Sequence, residues 1–263
     1  MAQQYPQEDP SLPAAPPPRK RSGVISVVLA LVLVLAVAVI LNESLLRIRS
    51  VAVVGLRTVT WEQAILAAGL DKPVGYFTVS EKKIAEGIES NRYLIFERME
   101  KHFPNGVTIY VEERVPVARV QEMSADYYLD REGMVLERGS LKGNSVLDDA
   151  VIVVTGLKPK ELRVGRIMTA GTADHMKAYR ELIDELDQQG FLSQISELNV
   201  SDPESIYLVT RDGYTARLGD LSSLRAKIGT VRAVVAKLRE MGKNGGMLEA
   251  SIPGEAIYTP PSP

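Results

Sequence analysis

The feature that most constrains this chain is an uncharged apolar run at residues 24–41, in which Ser26 is the one polar residue. An α-helix rises about 1.5 Å per residue, so a helical run of this length covers about 27 Å. That length is close to the thickness of the hydrocarbon core of a bilayer. We therefore predict one transmembrane helix at residues 23–42.

The residues before this run set its expected orientation. Arg19-Lys20-Arg21 directly precedes it, and basic residues favour the cytoplasmic side of a membrane. We predict that residues 1–22 are cytoplasmic and that the rest of the chain lies outside. Residues 1–22 are rich in Pro and Gln, so we also predict that they form a disordered tail, with a second disordered tail at residues 260–263.

A cleaved signal peptide is the alternative interpretation of the apolar run. Ala36-Val37-Ala38 matches the small-x-small pattern of a cleavage site. However, this match lies inside the run with no polar stretch before it, and the run exceeds the roughly 7–15 apolar residues that are usual in signal peptides. An uncleaved anchor is therefore favoured.

Composition limits what the remainder of the chain can do. Apolar residues make up 45% and charged residues 24% of the sequence, which suits a globular core. The formal net charge of -2 offers no broad basic surface for phosphates, so we predict no nucleic-acid partner. The lack of cysteine excludes disulfides, thiolate metal ligands and a cysteine nucleophile.

Residues 46–116 have the pattern of a small α+β unit. Residues 48–55 have the composition of a strand that ends in a turn. Thr60 and Gln63 have the spacing of a capping box at the start of a helix, and a second short helix is predicted at about residues 80–90.

A hairpin is predicted to complete this unit. Pro104-Asn105-Gly106 separates two apolar-rich runs, and Asn-Gly favours a hairpin because both residues tolerate positive φ. In the second run Val107, Ile109 and Val111 alternate with polar residues, as in a strand with one buried face. The predicted order is strand–helix–helix–strand–strand.

Residues 117–259 are predicted to be β-rich with two helices. The second helix carries a basic face, which we interpret as solvated rather than as a docking surface. Its basic residues are Arg225, Lys227, Arg232, Lys237 and Arg239. The predicted elements are hairpins within 127–136 and 206–218, helices at about 172–189 and 220–241, and short strands at 247–252 and 255–259.

One short motif points to catalysis. Ser80-Glu81-Lys82-Lys83 has the SxxK spacing of penicillin-interacting enzymes. The SDN and KTG partner motifs are missing, although Ser201-Asp202 begins the first. The same residues suit a helix N-cap, with Ser80 as the cap and Glu81 near the positive end of the helix dipole, and we favour this interpretation.

Other chemical sites find little support in the sequence. His102 and His175 are the two histidines, and neither belongs to a spacing that binds metals. The neighbouring carboxylates Glu112-Glu113 and Asp148-Asp149 would point to opposite faces of a strand. We predict no catalytic, metal or cofactor site, and therefore no enzyme.

Residues 103–118 carry a resemblance to a known family. They read Phe-Pro-Asn-Gly-Val-Thr-Ile-Tyr-Val-Glu-Glu-Arg-Val-Pro-Val-Ala. This run is similar to the end of the POTRA domain in the bacterial cell-division family FtsQ, called DivIB in Gram-positive bacteria. Residues 48–55 resemble the first POTRA strand. Three further stretches resemble motifs of the family's second domain, with Val153 where the family often has Pro: residues 128–133, 153–156 and 212–219.

This resemblance covers essentially the whole chain and implies both fold and function. The implied α+β fold has the N-terminal tail, one transmembrane helix, a POTRA domain at 46–116 and a β-rich domain with two helices at 117–259. The implied function is that of a non-catalytic divisome scaffold in the bacterial inner membrane, concentrated at the septum. The implied partners are the single-span coiled-coil proteins FtsL and FtsB (DivIC) and, with them, the septal peptidoglycan synthase complex, whose activity the scaffold helps to regulate.

The last strand is the predicted partner-binding surface. We expect it at a sheet edge, where unpaired backbone groups can accept a partner's strand, and the edge of the POTRA sheet could act similarly. Tyr258 would add apolar area and a hydroxyl, although a place in the core or at its rim is the alternative. The candidate partner-binding residues are Glu249, Ser251, Ile252, Ala256, Ile257 and Tyr258.

Two other classes of function stay open at this point. One is a membrane-anchored peptidoglycan enzyme with Ser80 as its nucleophile. The other is a POTRA-bearing secretion or outer-membrane assembly factor. That factor would need a C-terminal β-barrel, which the two helices predicted in the second unit disfavour.

Overall fold

The computed structural model describes residues 22–44, 46–123, 125–139 and 151–261. Most of the predicted N-terminal tail, the final two residues and Asp148-Asp149 lie outside the described residues.

Within these ranges the chain forms five α-helices, a short 3-10 turn and twelve strands in two sheets. The helices are α1 Ser22–Ser44, α2 Trp61–Ala67, α3 Glu81–Ser90, α4 Ala173–Gln188 and α5 Leu224–Glu240, and the 3-10 turn is Leu192–Gln194. The first six strands are β1 Ser50–Val54, β2 Leu94–His102, β3 Gly106–Glu113, β4 Ala118–Glu122, β5 Ala125–Leu129 and β6 Val135–Arg138. The other six are β7 Ile152–Thr155, β8 Ile195–Asn199, β9 Ile206–Thr210, β10 Tyr214–Gly219, β11 Gly246–Glu249 and β12 Ile257–Thr259.

Helix α1 is apolar on all sides. Between Gly23 and Ile40 it is long and apolar enough to cross a membrane, and none of this stretch is buried by the rest of the chain. It is the one such helix among the described residues. A helix that is apolar all round and lacks a protein partner requires an apolar solvent, which fits a single-pass membrane protein.

The first folded unit is a three-stranded sheet with two helices on one face. Its strand order is β1-β3-β2, with β1 parallel and β2 antiparallel to the central strand β3. Val107, Ile109 and Val111 of β3 are buried against a core that includes Ile84 and Ile88 of α3. The predicted order and the one-sided burial of the last strand are confirmed.

The helix starts in this unit follow the local signals. Thr60 Oγ1 accepts from Gln63 N at 3.3 Å, and Gln63 Oε1 accepts from Thr60 N at 3.2 Å, so the predicted capping box is present. Ser80 occupies the N-cap position of α3, but its side chain makes no capping hydrogen bond.

The hairpin between β2 and β3 is present, but the predicted turn is wrong. The Phe103–Pro104 peptide bond is cis, and neither Asn105 nor Gly106 has positive φ. Gly106 is instead the first residue of β3 and faces His102 across the pair. A Cβ atom on Gly106 would lie 3.1 Å from His102 Cβ, so close approach of the strands favours glycine here.

The second unit is a nine-stranded sheet with the order β12-β11-β10-β9-β8-β7-β4-β5-β6. Helices α4 and α5 pack on one face of it, with Tyr179, Leu182 and Ile228 completely buried in its core. The predicted helices, the two hairpins and the pair of short final strands are all present.

Helix α5 starts later than predicted because its predicted first turn forms another structure. Asp220 Oδ1 accepts from Ser222 N at 3.1 Å and from Ser222 Oγ at 2.6 Å. Such local side-chain bonds compete with helix formation. Ser223 then adopts a left-handed conformation with φ 49, and the helix begins at Leu224.

The basic face of α5 needs one correction. Lys227 was predicted to be solvated, but it is 1% exposed. Its Nζ donates to Asp220 Oδ1 at 2.7 Å and to the Asp220 carbonyl at 3.0 Å. The hydrogen bond from Lys227, together with those from Ser222, lowers the pKa of Asp220 to about 2. The other four basic residues of that face are exposed, as predicted.

Candidate functional site

The last strand, β12, forms one edge of the nine-stranded sheet. It pairs antiparallel with β11, where Glu249 faces Ile257 and Leu248 faces Tyr258. No strand of the described residues pairs with its other side. The predicted edge position is therefore present, and β12 exposes backbone groups that can accept a further strand.

At the opposite edge of the same sheet, the start of β6 is covered by a neighbouring segment. Val135 N donates to the Arg166 carbonyl at 2.9 Å, and Gly165 N donates to the Val135 carbonyl at 2.8 Å. Met168 N donates to the Gly133 carbonyl at 2.8 Å. Residues 165–168 therefore protect the start of this edge, from Gly133 to Val135, by the kind of backbone pairing that β12 lacks on its outer side among the described residues.

A tight turn brings β12 back against β11. Glu255 N donates to the Ile252 carbonyl at 3.1 Å, and Gly254 has φ 82. Pro253 followed by a glycine of positive φ is typical of a type II turn. The sequence Ile-Pro-Gly-Glu thus favours the reversal that places the final strand at the edge.

Tyr258 supports the edge from inside the sheet. Its ring lies edge-on to that of Tyr214, with 6.4 Å between centroids, and its hydroxyl donates to the Gly245 carbonyl at 3.2 Å. Gly246 makes room for this ring, because a Cβ atom there would lie 2.7 Å from Tyr258 Cε2. The hydroxyl that was expected to serve a partner already has a partner within the chain.

Ile257 faces the other way. Its side chain is 69% exposed, and that of Ile252 in the preceding turn is 58% exposed. Residues directly opposite on paired strands share a face of the sheet, so Ile257 lies on the same outer face as Glu249. The edge therefore combines exposed apolar side chains with an unpaired strand backbone.

The six predicted partner-binding residues all lie in this one hairpin, but they differ in surroundings. Ala256 and Tyr258 are half-buried and pack against the core, whereas Ile252 and Ile257 are exposed. Glu249 Oε1 accepts a hydrogen bond from Ser251 Oγ at 2.7 Å, so these two polar groups are paired with each other.

Two residues of the same outer surface were missed in the sequence. Met247 is 40% exposed and alternates with the buried Leu248, which is a signal that the sequence does contain. Arg217 is exposed and lies opposite Glu249 in the parallel pairing of β10 with β11. That pairing joins distant parts of the chain, so local pattern gives no indication of it.

The Glu113-Arg114 pair at the end of β3 has a structural role. Glu113 is 6% exposed, and its carboxylate accepts from Arg57 N at 2.6 Å, from Thr58 N at 3.0 Å and from the Thr58 hydroxyl. Val59 N donates to it at 3.2 Å. Burial raises the pKa of Glu113, but these hydrogen bonds outweigh burial and lower it overall.

Arg114 joins the two folded units. It forms an ion pair with Asp130, whose side chain is 3% exposed, and a second pair with Glu132 at 2.7 Å. Asp130 Oδ1 also accepts from Met134 N at 2.7 Å, and its carbonyl accepts from the Tyr179 hydroxyl at 2.6 Å. The Glu113-Arg114 motif therefore fixes the loop before α2 and the junction between the sheets.

The catalytic alternatives gain no geometric support among the described residues. No hydrogen bond joins Ser80 to Lys83, and the cleft of about 860 Å³ between the two units is lined by neither of them. His175 is buried, and its Nδ1 lies 2.5 Å from Thr172 Oγ1. No group of three or more potential metal ligands occurs in the described part of the chain.

Comparison with known proteins agrees with this architecture. Residues 46–114 match the family model of the POTRA domain of FtsQ type, and residues 118–251 match that of the C-terminal domain of the cell division protein FtsQ/DivIB. The fold is that of a POTRA-bearing, single-span membrane protein. The chain belongs to the FtsQ/DivIB family of cell division proteins.

Individual relatives carry the same names. The chain is 23% identical over 205 residues to the cell division protein DivIB of Clostridium tetani, which covers 76% of this chain and 74% of the relative. It is 27% identical to FtsQ of Syntrophotalea carbinolica, over 70% of this chain and 67% of the relative. It is 30% identical to FtsQ of Geobacter sp. strain M21, over 65% and 61%. These names are those of division proteins and state no enzymatic activity.

Proposed function

We propose that this chain is a non-catalytic scaffold of the cell-division complex, and that its β12 edge binds another division protein by strand addition. The observation that carries the proposal is the difference between the two edges of one sheet. Residues 165–168 cover the start of the β6 edge, whereas no described strand pairs with the outer side of β12, which displays Ile257. A long-lived open edge is an aggregation hazard, so an edge that is left open fits a site for a partner.

The proposed partners are the single-span coiled-coil division proteins FtsL and FtsB (DivIC). Backbone hydrogen bonds to β12 would supply affinity, and alternate side chains would supply specificity. Ile257 and Ile252 offer apolar contacts, with Arg217 and Glu249 on the same side of the hairpin. Tyr258, on the opposite face of the sheet, holds the strand in place through its contacts with Tyr214 and the Gly245 carbonyl.

Membrane anchorage explains how such a short edge can suffice. We propose that α1 crosses the bacterial inner membrane with its N-terminus in the cytoplasm, and that the units at 46–116 and 117–259 lie outside, at the septum. Three residues of strand give a small interface, but confinement beside membrane-bound partners raises their effective concentration. The scaffold would then regulate septal peptidoglycan synthesis by gathering the proteins that control the synthase.

The test is recovery of FtsL and FtsB with the full-length chain from detergent-solubilised membranes. Ile257→Asp places a charge on an exposed position of the edge, so the fold should persist and recovery of both partners should fall at least about tenfold, equivalent to about 1.4 kcal/mol. Met123→Asp is the matched control, because Met123 is 93% exposed on the β4–β5 turn of the same sheet and has φ 47, which Asp tolerates. Equal recovery with Ile257→Asp and with the unchanged chain would place the interface elsewhere.

A further inference from the structure

Three aromatic side chains cluster on the first folded unit, and we name them the aromatic rim: Tyr76, Phe77 and Phe103. The Tyr76 ring meets Phe77 edge-on with 5.4 Å between centroids. It meets Phe103 in the same manner at 5.8 Å. Two separate loops, one before α3 and one between β2 and β3, therefore bring their aromatic residues together.

The rim faces away from the core of its unit. Phe77 is 69% exposed and Phe103 is 73% exposed, while Tyr76 is half-buried. These two are half of the four phenylalanines in the whole sequence. Isolated exposed apolar residues are common on protein surfaces, but two exposed phenylalanine rings that pack against one tyrosine form a patch that indicates an interaction site.

Backbone hydrogen bonds tie the rim to the segment that follows α1. Tyr76 N donates to the Leu46 carbonyl at 2.6 Å, and Ile48 N donates to the Val74 carbonyl at 2.9 Å. On the other loop, the Asn105 carbonyl accepts from Arg49 N at 3.0 Å. Both loops of the rim are therefore fixed to residues 46–49, which lie two to five positions after the last residue of α1.

Chain length limits how far the rim can lie from the bilayer. The apolar stretch of α1 ends at Ile40, six residues before Leu46. Even a fully extended chain would cover only about 21 Å over those residues, and less where α1 continues to Ser44. The headgroup region of each leaflet is roughly 5–8 Å thick, so the rim lies within reach of it.

We propose that the aromatic rim rests in the boundary between headgroups and acyl chains of the bilayer that α1 spans. Tyr76 suits this region because it combines an apolar ring with a hydroxyl, and the exposed Phe77 and Phe103 rings add apolar area that can enter the acyl boundary. Lys72 is exposed on the loop that carries Tyr76, and Arg49 is exposed on the segment that follows α1; both suit the phosphates of the leaflet. Contact at the rim in addition to α1 fixes how the first unit is oriented on the membrane, whether or not β12 binds a partner.

Site-directed spin labelling tests this directly, because the sequence has no cysteine to interfere. The full chain with Phe77→Cys carries a nitroxide and is reconstituted into vesicles of phosphatidylethanolamine and phosphatidylglycerol. Collisions with oxygen should be frequent and those with a water-soluble nickel chelate rare. The control label at Ala236→Cys, an exposed position on α5, should meet the chelate freely. Equal chelate access at both positions would overturn the proposal.

A second comparison uses a spin label outside the rim, so that the label itself does not replace a rim residue. A label at Lys72→Cys is measured with Phe77→Ser plus Phe103→Ser and, separately, with Leu66→Ser, which removes a 65% exposed side chain of α2. The double change should raise chelate access at position 72 several-fold, and Leu66→Ser should leave it unchanged. Identical chelate access at position 72 in the double variant and in the Leu66→Ser variant would show that the rim does not hold the unit on the bilayer. Flotation of every variant with the vesicles confirms that α1 is inserted throughout.

Discussion

The two ends of the nine-stranded sheet are built from opposite kinds of interaction. At the β6 end, residues 165–168 cover the start of the edge, and the buried pair of Arg114 with Asp130 joins the sheet to the first unit. At the β12 end, the last strand has one neighbour, and Ile257 points into solvent. One end is closed by hydrogen bonds and paired charges, and the other is left apolar and open.

Because of this difference, we expect the residues that stabilise the chain and the residues that bind a partner to lie at opposite ends of the sheet. Changes at the closed end leave buried charges or donors without partners, which is costly in free energy of unfolding. Changes on the outer side of the open end remove nothing that the isolated chain uses. The comparison predicts large losses of stability at one end, and loss of binding with little loss of stability at the other.

The largest loss of stability is expected for Arg114→Ala. This change leaves the carboxylate of Asp130, 3% exposed, without its ion-pair partner, and breaking a buried pair costs about 3–5 kcal/mol. Urea denaturation of the detergent-solubilised full chain, followed by circular dichroism, measures it. Arg131→Ala is the control, because Arg131 and Asp187 are both about half exposed and such pairs contribute about 1 kcal/mol or less. Similar small losses for both would show that Arg114 does not lock the junction.

The next largest effect is expected for Glu113→Ala. It removes the acceptor shared by the backbone N–H groups of residues 57–59, and groups left unsatisfied in this way cost about 1–3 kcal/mol. Trp61, the single tryptophan, lies on α2 directly after this loop, so its fluorescence during denaturation reports on this unit. Glu112→Ala changes the exposed neighbour and should cost under about 0.5 kcal/mol. A loss of that small size for Glu113→Ala as well would contradict the role given to its carboxylate.

Glu113 also predicts a direction of pH dependence. Its pKa in the folded chain is lowered from the ordinary value of 4.5. The stabilisation is therefore fully present above the ordinary pKa and is lost as the pH falls through the lowered folded value. Denaturation midpoints by Trp61 fluorescence should fall below about pH 5, and less steeply with Glu113→Gln. If the denaturation midpoint falls equally steeply with pH in Glu113→Gln and in Glu112→Gln, the hydrogen bonds to Glu113 do not stabilise its charged form.

A smaller effect is expected for Tyr258→Phe at the open end. The change removes the hydrogen bond to the Gly245 carbonyl but keeps the ring against Tyr214, so stability should fall by about 0.5–1.5 kcal/mol. Recovery of FtsL and FtsB should be unchanged. Tyr207→Phe is the control, because the hydroxyl of the half-buried Tyr207 has no hydrogen bond to the described residues. Loss of both partners with Tyr258→Phe would mean that its hydroxyl serves the interface after all.

Local sequence signals predicted most of the elements that build the fold. The alternation around Val107, Ile109 and Val111 gave the buried face of β3, and the spacing of Thr60 and Gln63 gave the start of α2. Each of these signals depends on residues a few positions apart.

Local sequence patterns could not predict contacts between separate elements of the chain. Lys227 follows Leu224 by three residues and precedes Val231 by four, so helical periodicity places it beside the buried stripe of α5, and the prediction of a solvated side chain was wrong. Periodicity gives no indication of its partner, the turn at Asp220, which folds back onto the start of α5. Tyr258 points inward because Tyr214 and Gly246 form a space for its ring. No local sequence pattern predicts that residues 165–168 pair with the start of β6. The contrast between the two edges therefore emerged only from the structure.

The most direct test of strand addition is hydrogen exchange of the backbone amides of β12, with and without the FtsL–FtsB complex. Partner binding should slow exchange within residues 257–259 at least about tenfold, equivalent to about 1.4 kcal/mol of protection. Exchange at Val135 of β6, whose amide already donates to the Arg166 carbonyl, should stay the same. Unchanged exchange in β12 while the complex forms would contradict the account.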